Sequence, residues 1–494
     1  MKEKINHSLY EVFKSKDERF DGRVFIGVSS TGIYCRPVCK AKLPKEENCT
    51  YYTTPAEAEA DGFRPCLICR PELAPGNSKI DSSRTIAARA VKLLEENIAD
   101  ERSIEEVANI LGVSDRHLRR VFKEEYNVTP IEYLQTSRLL LAKKLLTDTN
   151  ISILDVAIAS GFGSLRRFND LFKRQYSLAP SHFRKEVKHQ NTKGNKDITI
   201  KIGYHLPYRY NDILNFLKSR AIYGIEKIEK GKYYRTVRIK KNNEYITGYI
   251  IVSNNEKKSA IDLTISDTLL KVLPQVIGKV KNLFDLNCEP YSIYETLKDV
   301  NKTISNSFLI GTRIPGRIDD FEICVRAVIG QLVSVKSATT LLRRMTEKIG
   351  NKINTNINGL DYLFPTPEDI LKIKDYISDV LGPLGITKTK SNVIKELAIL
   401  FTSQRVDFSN CIDTKAEMKR LLDIKGIGEW TAKYIAMRTM NDIDILLDSD
   451  YAIKKIMENY KLNITVFEKY KPFRSYITIG IWNSLEENQK IRRN

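Results

Sequence analysis

Four cysteines near the start of the chain have the spacing of a metal site. Three residues separate Cys35 from Cys39, two separate Cys66 from Cys69, and 26 residues lie between the pairs. These spacings match a tetrahedral zinc site with four sulfur ligands, and soft thiolates favour zinc or iron–sulfur over oxygen-seeking cations. A purely structural zinc site is the favoured interpretation from spacing alone. A reactive site is the alternative, because a metal-bound thiolate is the nucleophilic form of cysteine.

Glycines that interrupt predicted helices and an acidic segment, all in the C-terminal half, suggest contact with a sugar–phosphate backbone. Gly426 and Gly428 lie between two predicted helices. The amides of such a turn, with the positive end of the following helix, suit a phosphate, although this short pattern is more typical of a plain helix–helix turn. The segment Asp448–Tyr451 follows the second helix, and a carboxylate there could stabilise a sugar cation. Another predicted helix breaks at a glycine just before Gln331 and Leu332.

The composition favours a large DNA-associated protein over other classes. A chain of 494 residues with a formal net charge of +19 predicts about three domains and a polyanionic partner, with nucleic acid ahead of a merely soluble basic protein. The first residues show no apolar signal segment, and no run of 18 apolar residues suggests a membrane helix. The other cysteines are scattered singly, which indicates reduced thiols and a cytoplasmic location: Cys49, Cys288, Cys324 and Cys411.

Residues 1–78 are predicted to form a small α/β domain whose folding depends on the metal. Cationic side chains crowd the cysteines and predict a surface that a phosphate backbone could approach: Arg36, Lys40, Lys42, Arg64 and Arg70. The stretch Phe20–Leu73 resembles the N-terminal zinc domain of the Ada DNA-methylation response proteins. The resemblance implies one zinc ion and makes Cys35 the acceptor of a methyl group from a methylated DNA phosphate.

Residues 84–187 contain an internal repeat with an offset of 49 to 50 residues. The landmarks of the first copy are Val107-Ala108, Gly112 and Pro130, and those of the second are Val156-Ala157, Gly161 and Pro180. Each copy opens with a capping pattern, at Ser103 or Ser152, and its apolar residues then follow at helical spacing. This first helix ends at the glycine, and a second helix begins at Ser114 or Ser164. Helix, glycine turn and helix predict two helix-turn-helix motifs, with an ordinary helical bundle as the alternative.

The second helix of each predicted motif carries the cations that would enter a DNA groove. They are Arg116, Arg119 and Arg120 in the first copy and Arg166 and Arg167 in the second. A connecting helix is predicted over Leu139–Leu146. The double motif resembles the DNA-binding domain of AraC-type regulators, and this implies promoter DNA as a partner, with RNA polymerase as a further expected partner.

The remaining chain divides into a small α+β layer and a helical domain. Residues 188–196 are predicted to be a linker. Residues 197–275 alternate in short β-rich runs around an amphipathic helix at Tyr210–Ser219, and residues 276–490 are almost wholly helical. From Ile198 to Trp482 this region resembles the helix-hairpin-helix DNA glycosylases of the AlkA type, which excise 3-methyladenine.

The glycosylase resemblance assigns roles to individual residues. It implies that Asp450 is the catalytic carboxylate and that Leu332 fills the gap left by a flipped nucleotide. The DNA-contacting residues are expected to be Gln331, Leu332, Ser334, Gly426 and Gly428, with a monovalent cation at the hairpin as an additional expectation. The pocket for an alkylated base is expected to be lined by Tyr434, Tyr451 and Trp482. Core packing is the alternative for such aromatics, above all for Trp430.

Departures from related patterns narrow the expected chemistry. Trp430 stands where strand-cutting relatives carry a lysine nucleophile, so the resemblance implies hydrolysis by water alone. No four-cysteine run for an iron–sulfur cluster follows the hairpin. Asn483 replaces an expected aromatic residue and Ser449 an expected acid, which leaves the range of substrates open. None of Cys288, Cys324 or Cys411 lies in the Pro-Cys-His-Arg context of a second methyl acceptor.

Together these features predict a mainly helical multidomain protein that combines alkylation sensing, transcriptional activation and base excision on double-stranded DNA. Methylation of Cys35 would remove one negative charge from the zinc site and weaken its repulsion from DNA phosphates. The alternative is a DNA-binding regulator without repair chemistry. No membrane association is expected.

Overall fold

A computed structural model describes residues 2–76, 85–96, 98, 103–186, 198–241, 244–305, 307–403, 406, 408, 411 and 413–491. It confirms the predicted mainly helical, multidomain architecture. The expected linker 188–196 and the expected domain ends at residues 78, 84, 187 and 197 lie outside the described residues. Within the described part of the chain, no helix is both long and apolar enough to cross a bilayer.

The N-terminal domain is a small sheet between helices. Its described helices are Lys2–Ser15 and Pro55–Ala60. Its four described strands lie in the order Cys49–Tyr52, Phe25–Val28, Ile33–Cys35, Arg64–Pro65. The first three pair antiparallel, whereas Arg64–Pro65 runs parallel to Ile33–Cys35. The apolar cores on the two faces are small and centre on Phe25 and Phe13.

The regulator domain contains both predicted helix-turn-helix motifs. Its described helices are Ile86–Glu96, Ile104–Ile110, Asp115–Tyr126, Pro130–Asp148, Ile153–Ala159, Leu165–Tyr176 and Pro180–Glu186. We call Pro130–Asp148 the linker helix. Ser103 and Glu106 form a complete capping box, whereas the Ser152 hydroxyl accepts from Asp155 N and donates to the Asp155 carboxylate without the reciprocal bond to its own backbone amide. The glycine of each turn has a positive φ, 71° at Gly112 and 79° at Gly161.

The α+β layer is an antiparallel sheet covered by one helix. Its five described strands lie in the order Ile198–Gly203, Ala260–Ile265, Glu244–Asn255, Lys232–Lys241, Glu226–Glu229. The helix is Tyr210–Arg220, close to its predicted bounds. The short edge strand Glu226–Glu229 was not predicted, because its four residues show no apolar alternation.

The C-terminal domain is helical. Its described helices are Leu273–Leu283, Pro290–Leu297, Val300–Thr303, Asp320–Ile329, Val335–Ile349, Pro367–Leu371, Ile377–Leu381, Lys388–Thr402, Thr414–Leu422, Glu429–Thr439, Tyr451–Asn459 and Arg474–Ile491. A small strand pair, Asn351–Lys352 with Tyr362–Leu363, interrupts them.

The hydrophobic cores cross the domain borders that the sequence suggests. One cluster unites the second helix-turn-helix motif with the α+β sheet and with helix Leu273–Leu283, through side chains such as Phe172, Ile200 and Val276. A second cluster joins Ala56 of the N-terminal domain to the first helix-turn-helix motif. The linker helix therefore lies at the centre of the molecule, between the metal-binding domain and the sheet.

Candidate functional site

The four predicted metal ligands come together at one end of the N-terminal sheet. Their sulfur atoms all lie within 4.8 Å of one another. The parallel pairing of Ile33–Cys35 with Arg64–Pro65 brings this about, because both strands end at the same edge and Cys66 N donates to Tyr34 O at 3.0 Å. Four sulfurs this close fit one Zn²⁺, whose Zn–S bonds are about 2.3 Å.

Backbone amides distinguish the sulfurs from one another. Arg36 N donates to Cys69 Sγ and Ile68 N to Cys66 Sγ, each at 3.4 Å. No backbone amide of the described residues donates to Cys35 Sγ, and Cys35 is only partly buried. Because a hydrogen bond to a thiolate lowers its electron density, Cys35 keeps more nucleophilic character than Cys66 or Cys69.

The cations around the quartet divide into two groups, and this corrects the predicted phosphate-facing surface. Arg36 is buried, pairs with Asp21 and donates to Cys69 O at 3.0 Å. Arg70 pairs with Glu72 at 2.8 Å and with Asp148 at 2.7 Å. Both arginines therefore hold the fold together. Of the predicted set, the lysines are exposed and Arg64 is partly exposed, so these three can face a phosphate: Lys40, Lys42 and Arg64.

A buried ion network ties the metal-binding loop to the linker helix. Burial by itself would raise the pKa of Glu72, but Lys143 and Arg70 lower it to about 2. Asp148, at the end of the linker helix, also accepts from Lys201 N at 3.2 Å. The segment that carries Cys69 is thus joined to the regulator domain and to the first strand of the α+β sheet.

Both predicted DNA-reading helices present cations on one face and bury aromatic residues on the other. Ser114 and Ser164 cap these helices, as predicted. Arg116, Arg120, Arg166 and Arg167 are exposed, and Arg119 is partly exposed and pairs with Asp115 at 2.7 Å. The buried faces consist of Leu118, Phe122 and Tyr126 in the first helix and Phe168, Phe172 and Tyr176 in the second.

Asp450 lies between two tryptophans that hold one carboxylate oxygen each. Trp430 Nε1 donates to Oδ2 at 3.2 Å and Trp482 Nε1 to Oδ1 at 3.1 Å. Asp450 also caps helix Tyr451–Asn459, since Ala452 N donates to Oδ1 at 3.0 Å. These donors fix the carboxylate in one orientation, which suits a group that must stabilise charge at a defined point.

An aromatic cluster surrounds this carboxylate. Trp430 stacks on Tyr434 with 5.3 Å between ring centroids and an interplanar angle of 11°, and Phe216 lies nearly parallel to Trp482 at 6.3 Å. Arg438 donates to the Tyr434 hydroxyl at 2.7 Å. Tyr451, by contrast, is 78% exposed. The faces of these rings could accept a planar, electron-poor base.

Two loops are hydrogen-bonded to each other. The Leu332 loop lies between helices Asp320–Ile329 and Val335–Ile349, and the hairpin is the turn between helices Thr414–Leu422 and Glu429–Thr439. Gln331 Nε2 donates to Gly426 O at 3.0 Å and to Thr431 Oγ1 at 2.9 Å, while Lys390 Nζ donates to Gln331 O at 2.8 Å. Leu332 has a φ of 55° and a fully exposed side chain. Such a left-handed, solvent-facing leucine persists only where its surroundings enforce it.

The hairpin turn itself requires its first glycine. Gly426 has a φ of 108°, and a Cβ there would meet Val393 Cγ2 at 2.7 Å. Gly428 caps helix Glu429–Thr439, whose first amides therefore face outward. Ser334 caps helix Val335–Ile349, where its hydroxyl accepts from Ser337 N. The hairpin, the Leu332 loop and the helix that Ser334 caps thus stand side by side.

Known proteins match each of these regions. The metal-binding domain of Ada matches residues 8–72, a helix-turn-helix domain matches residues 107–186, and the AlkA N-terminal domain matches residues 199–319. The "Bifunctional transcriptional activator/DNA repair enzyme AdaA" of Bacillus subtilis is 33% identical over 195 residues, which cover 39% of this chain and 90% of that protein. The chain belongs to the Ada family of transcriptional activators and DNA repair enzymes.

Two further relatives extend the match to the C-terminal part of this Ada-family chain. The "Probable bifunctional transcriptional activator/DNA repair enzyme AlkA" of Mycobacterium tuberculosis is 28% identical over 489 residues, 97% of this chain and 96% of that protein. The "DNA-3-methyladenine glycosylase 2" of Escherichia coli is 29% identical over 284 residues, 57% of this chain and 95% of that enzyme. A sensor, a regulator and a glycosylase-like region are therefore joined in one chain.

Sequence reasoning missed three side chains that the fold brings to the Asp450 cluster. Core packing is the alternative that the sequence favours most for Trp430, yet its indole N–H donates to the Asp450 carboxylate. Phe216 and Arg220 come from helix Tyr210–Arg220 of the α+β layer, and the Arg220 guanidinium carbon lies 3.8 Å from the centroid of the Phe216 ring. Nothing local in the sequence marks either residue, because their partner Trp482 is more than 250 positions away.

Proposed function

We propose that this chain performs two separate repair reactions on alkylated DNA and uses the first as a signal for transcription. The observation that carries the proposal is the presence, in one Ada-family chain, of a quartet whose partly exposed Cys35 sulfur accepts from no backbone amide of the described residues, and of a carboxylate held between two indoles. The first site is built to react once, and the second to act repeatedly.

In the first reaction, Cys35 Sγ attacks the methyl carbon of a methylphosphotriester in line with the leaving phosphate oxygen. The S–C bond forms as the C–O bond breaks, the electron pair stays on oxygen, and the phosphate recovers its negative charge. Zinc, when bound, keeps the four sulfurs as thiolates. The product is a thioether, which is a poor leaving group, so each chain reacts once.

The methylated quartet would then favour promoter binding. The transfer removes one negative charge from the zinc-binding domain, which lowers its repulsion from DNA phosphates. The exposed arginines of the two DNA-reading helices would supply phosphate and base contacts. Leu154 and Ile158 are 50% and 45% exposed one helical turn apart, which supports a protein contact there, and we propose RNA polymerase as that partner in the cytoplasm.

In the second reaction, Asp450 stabilises the positive charge that develops on the sugar as the C1′–N bond breaks. The base leaves with the bonding electron pair, and water adds to C1′. Leu332 would fill the space of the flipped nucleotide, and a cationic purine would stack among Tyr434, Tyr451 and Trp482. The absence of an amine at position 430 supports simple hydrolysis without strand cleavage.

The hairpin would bind the phosphate next to the damaged nucleotide. Gly426 and Gly428 place backbone amides at the start of helix Glu429–Thr439, where the helix dipole favours an anion. A monovalent cation there would be held by main-chain carbonyls of the turn. One of these, Gly426 O, already accepts from Gln331 Nε2. Gln331 and Ser334 would keep the Leu332 loop in register with the hairpin.

Two variants test the proposal against a regulator without repair chemistry. With DNA that carries labelled methyl groups, Cys35→Ala should take up no label and should still release 3-methyladenine. Asp450→Asn should take up label normally and release base at least about 100-fold more slowly. If the unmodified chain neither takes up methyl groups nor releases base while it still binds promoter DNA, the regulator-only alternative is correct.

A further inference from the structure

Two adjacent lysines on the linker helix are buried in different ways. Lys143 is 1% exposed, and its ammonium group pairs with Glu72. Lys144 is 9% exposed, and no described residue pairs with it or accepts a hydrogen bond from it. Burial and the nearby Lys281 lower the pKa of Lys144 to about 8. A buried ammonium group without a direct counterion destabilises the folded chain.

Lys144 lines a cavity of about 500 Å³ at the junction of the domains. Three domains contribute to its wall. Thr53–Ala56 comes from the metal-binding domain, Ala88–Arg89 from helix Ile86–Glu96 of the regulator domain, and Ile277, Lys281 and Asn441–Ile443 from the C-terminal domain. Cavities of this size hold small organic ligands, and few occur in a protein.

The carboxylates on the cavity wall already have partners. Glu72 pairs with Lys143 and Arg70, and Glu95 accepts from the Tyr133 hydroxyl at 2.9 Å and lies 3.9 Å from Lys281. Asp285 accepts from Ile314 N and from the Tyr476 hydroxyl, and Asp442 accepts from Asp444 N. None of them forms an ion pair or hydrogen bond with Lys144, so within the described residues this ammonium group has no direct partner, and Glu72 and Asp148 act on it only from a distance.

The rest of the wall is suited to an apolar ring. Leu140, Leu141 and Ile277 lie on it, the first two beside Lys144 on the linker helix and the third on helix Leu273–Leu283. A ligand that matched this surface would carry an anionic group at one end and a flat or apolar body at the other.

We propose that this cavity is a binding site for a small organic anion of about mononucleotide size, with its phosphate or carboxylate group against Lys144 and Lys281. Neither repair reaction uses this site, so the inference does not depend on the proposed chemistry. Because the wall is drawn from the metal-binding, regulator and C-terminal domains, an occupied cavity would favour the packed arrangement over any in which these three domains separate.

Calorimetric titration of the full-length, zinc-loaded chain tests the site. The probes are adenosine monophosphate, benzoate, orthophosphate and uncharged adenosine. We expect adenosine monophosphate or benzoate to bind at least about tenfold more tightly than adenosine and orthophosphate, because the charge and the apolar body both contribute. Tighter binding of the nucleotide identifies a phosphate ligand, and tighter binding of benzoate a carboxylate ligand.

Variants connect that binding to the cavity. Lys144→Met should weaken the binding of the tighter probe at least about tenfold. Ile277→Trp, which fills the cavity, should weaken the binding of the same probe as well. Lys302→Met, at a lysine whose side chain is 81% exposed, should bind like the unmodified chain. The proposal is wrong if adenosine or orthophosphate binds as tightly as the best organic anion, or if Lys144→Met and Ile277→Trp both leave that affinity unchanged.

Discussion

The sulfur quartet and the Asp450 cluster are built on opposite plans. The quartet comes from 35 consecutive residues, Cys35 to Cys69, and two short parallel strands suffice to assemble it. The Asp450 cluster draws Trp430 and Trp482 from two helices, Asp450 from the cap of a third, and Phe216 from the α+β layer. A site that reacts once needs an accessible sulfur and little else. A site that turns over needs a rigid carboxylate and a shaped cleft, and these require distant parts of the chain.

Removal of a metal ligand should have the largest effect and should stay confined to the quartet. In Cys66→Ser we expect loss of zinc and of all methyl transfer, because metal binding supplies about 10 kcal/mol or more to such small domains. Base release should remain within a factor of about two. Zinc content by atomic absorption and methyl uptake measure the two effects. The control is Cys49→Ser, since that thiol only donates to Lys45 O. Zinc retained in Cys66→Ser would contradict the assignment.

Loss of the Trp482 indole donor should affect base release at the Asp450 cluster and leave the quartet unchanged. Trp482→Phe keeps an aromatic face but removes the 3.1 Å bond to Asp450 Oδ1. Hydrogen bonds to charged groups contribute about 1.5–3 kcal/mol, so we expect base release to fall by about 10- to 100-fold. Methyl transfer should not change. Tyr451→Phe, which removes an exposed hydroxyl, is the matched control. Equal rates for Trp482→Phe and the control would show that the indole N–H has no role.

Truncation of the exposed leucine should have a smaller effect on the same site. Leu332→Ala removes apolar surface that would be buried only in the complex with DNA, and we expect about a tenfold loss in base release from duplex DNA. The loss should be much smaller on single-stranded DNA, where no stack must be filled. Val333→Ala, at the neighbouring 38% exposed position, is the control. The same loss on both kinds of DNA would argue against the wedge.

An effect on stability rather than on activity is expected in the domain that holds the quartet. Burial raises the pKa of Glu59 to about 8, while Tyr34 donates to its carboxylate at 3.1 Å. The folded chain therefore binds this proton more tightly than the unfolded chain, and stability decreases as the pH rises from about 4.5 to about 8. In Glu59→Gln the unfolding midpoint should decline less over this range. Glu105→Gln, at an exposed position, should follow the unmodified chain, and an unchanged decline in Glu59→Gln would contradict the assignment.

The two sites also differ in how far the sequence predicts them. Cysteine spacing identifies the quartet, and the 49- to 50-residue offset identifies both helix-turn-helix motifs, because these signals are local. Trp430 and Phe216 could not be assigned in this way, since an aromatic residue in a helix looks the same whether it packs in a core or binds a carboxylate. Arg36 and Arg70 looked like phosphate contacts, and only the fold brings Asp21, Glu72 and Asp148 to them.

The difference between a site that reacts once and a site that turns over is tested most directly by a single time course. The DNA carries both methylphosphotriesters and 3-methyladenine and is in large excess over the full-length protein. The account predicts that methyl uptake stops at one group per chain, whereas base release continues linearly to many bases per chain. Methyl uptake beyond one group per chain, or base release that stops after one turnover, would contradict it.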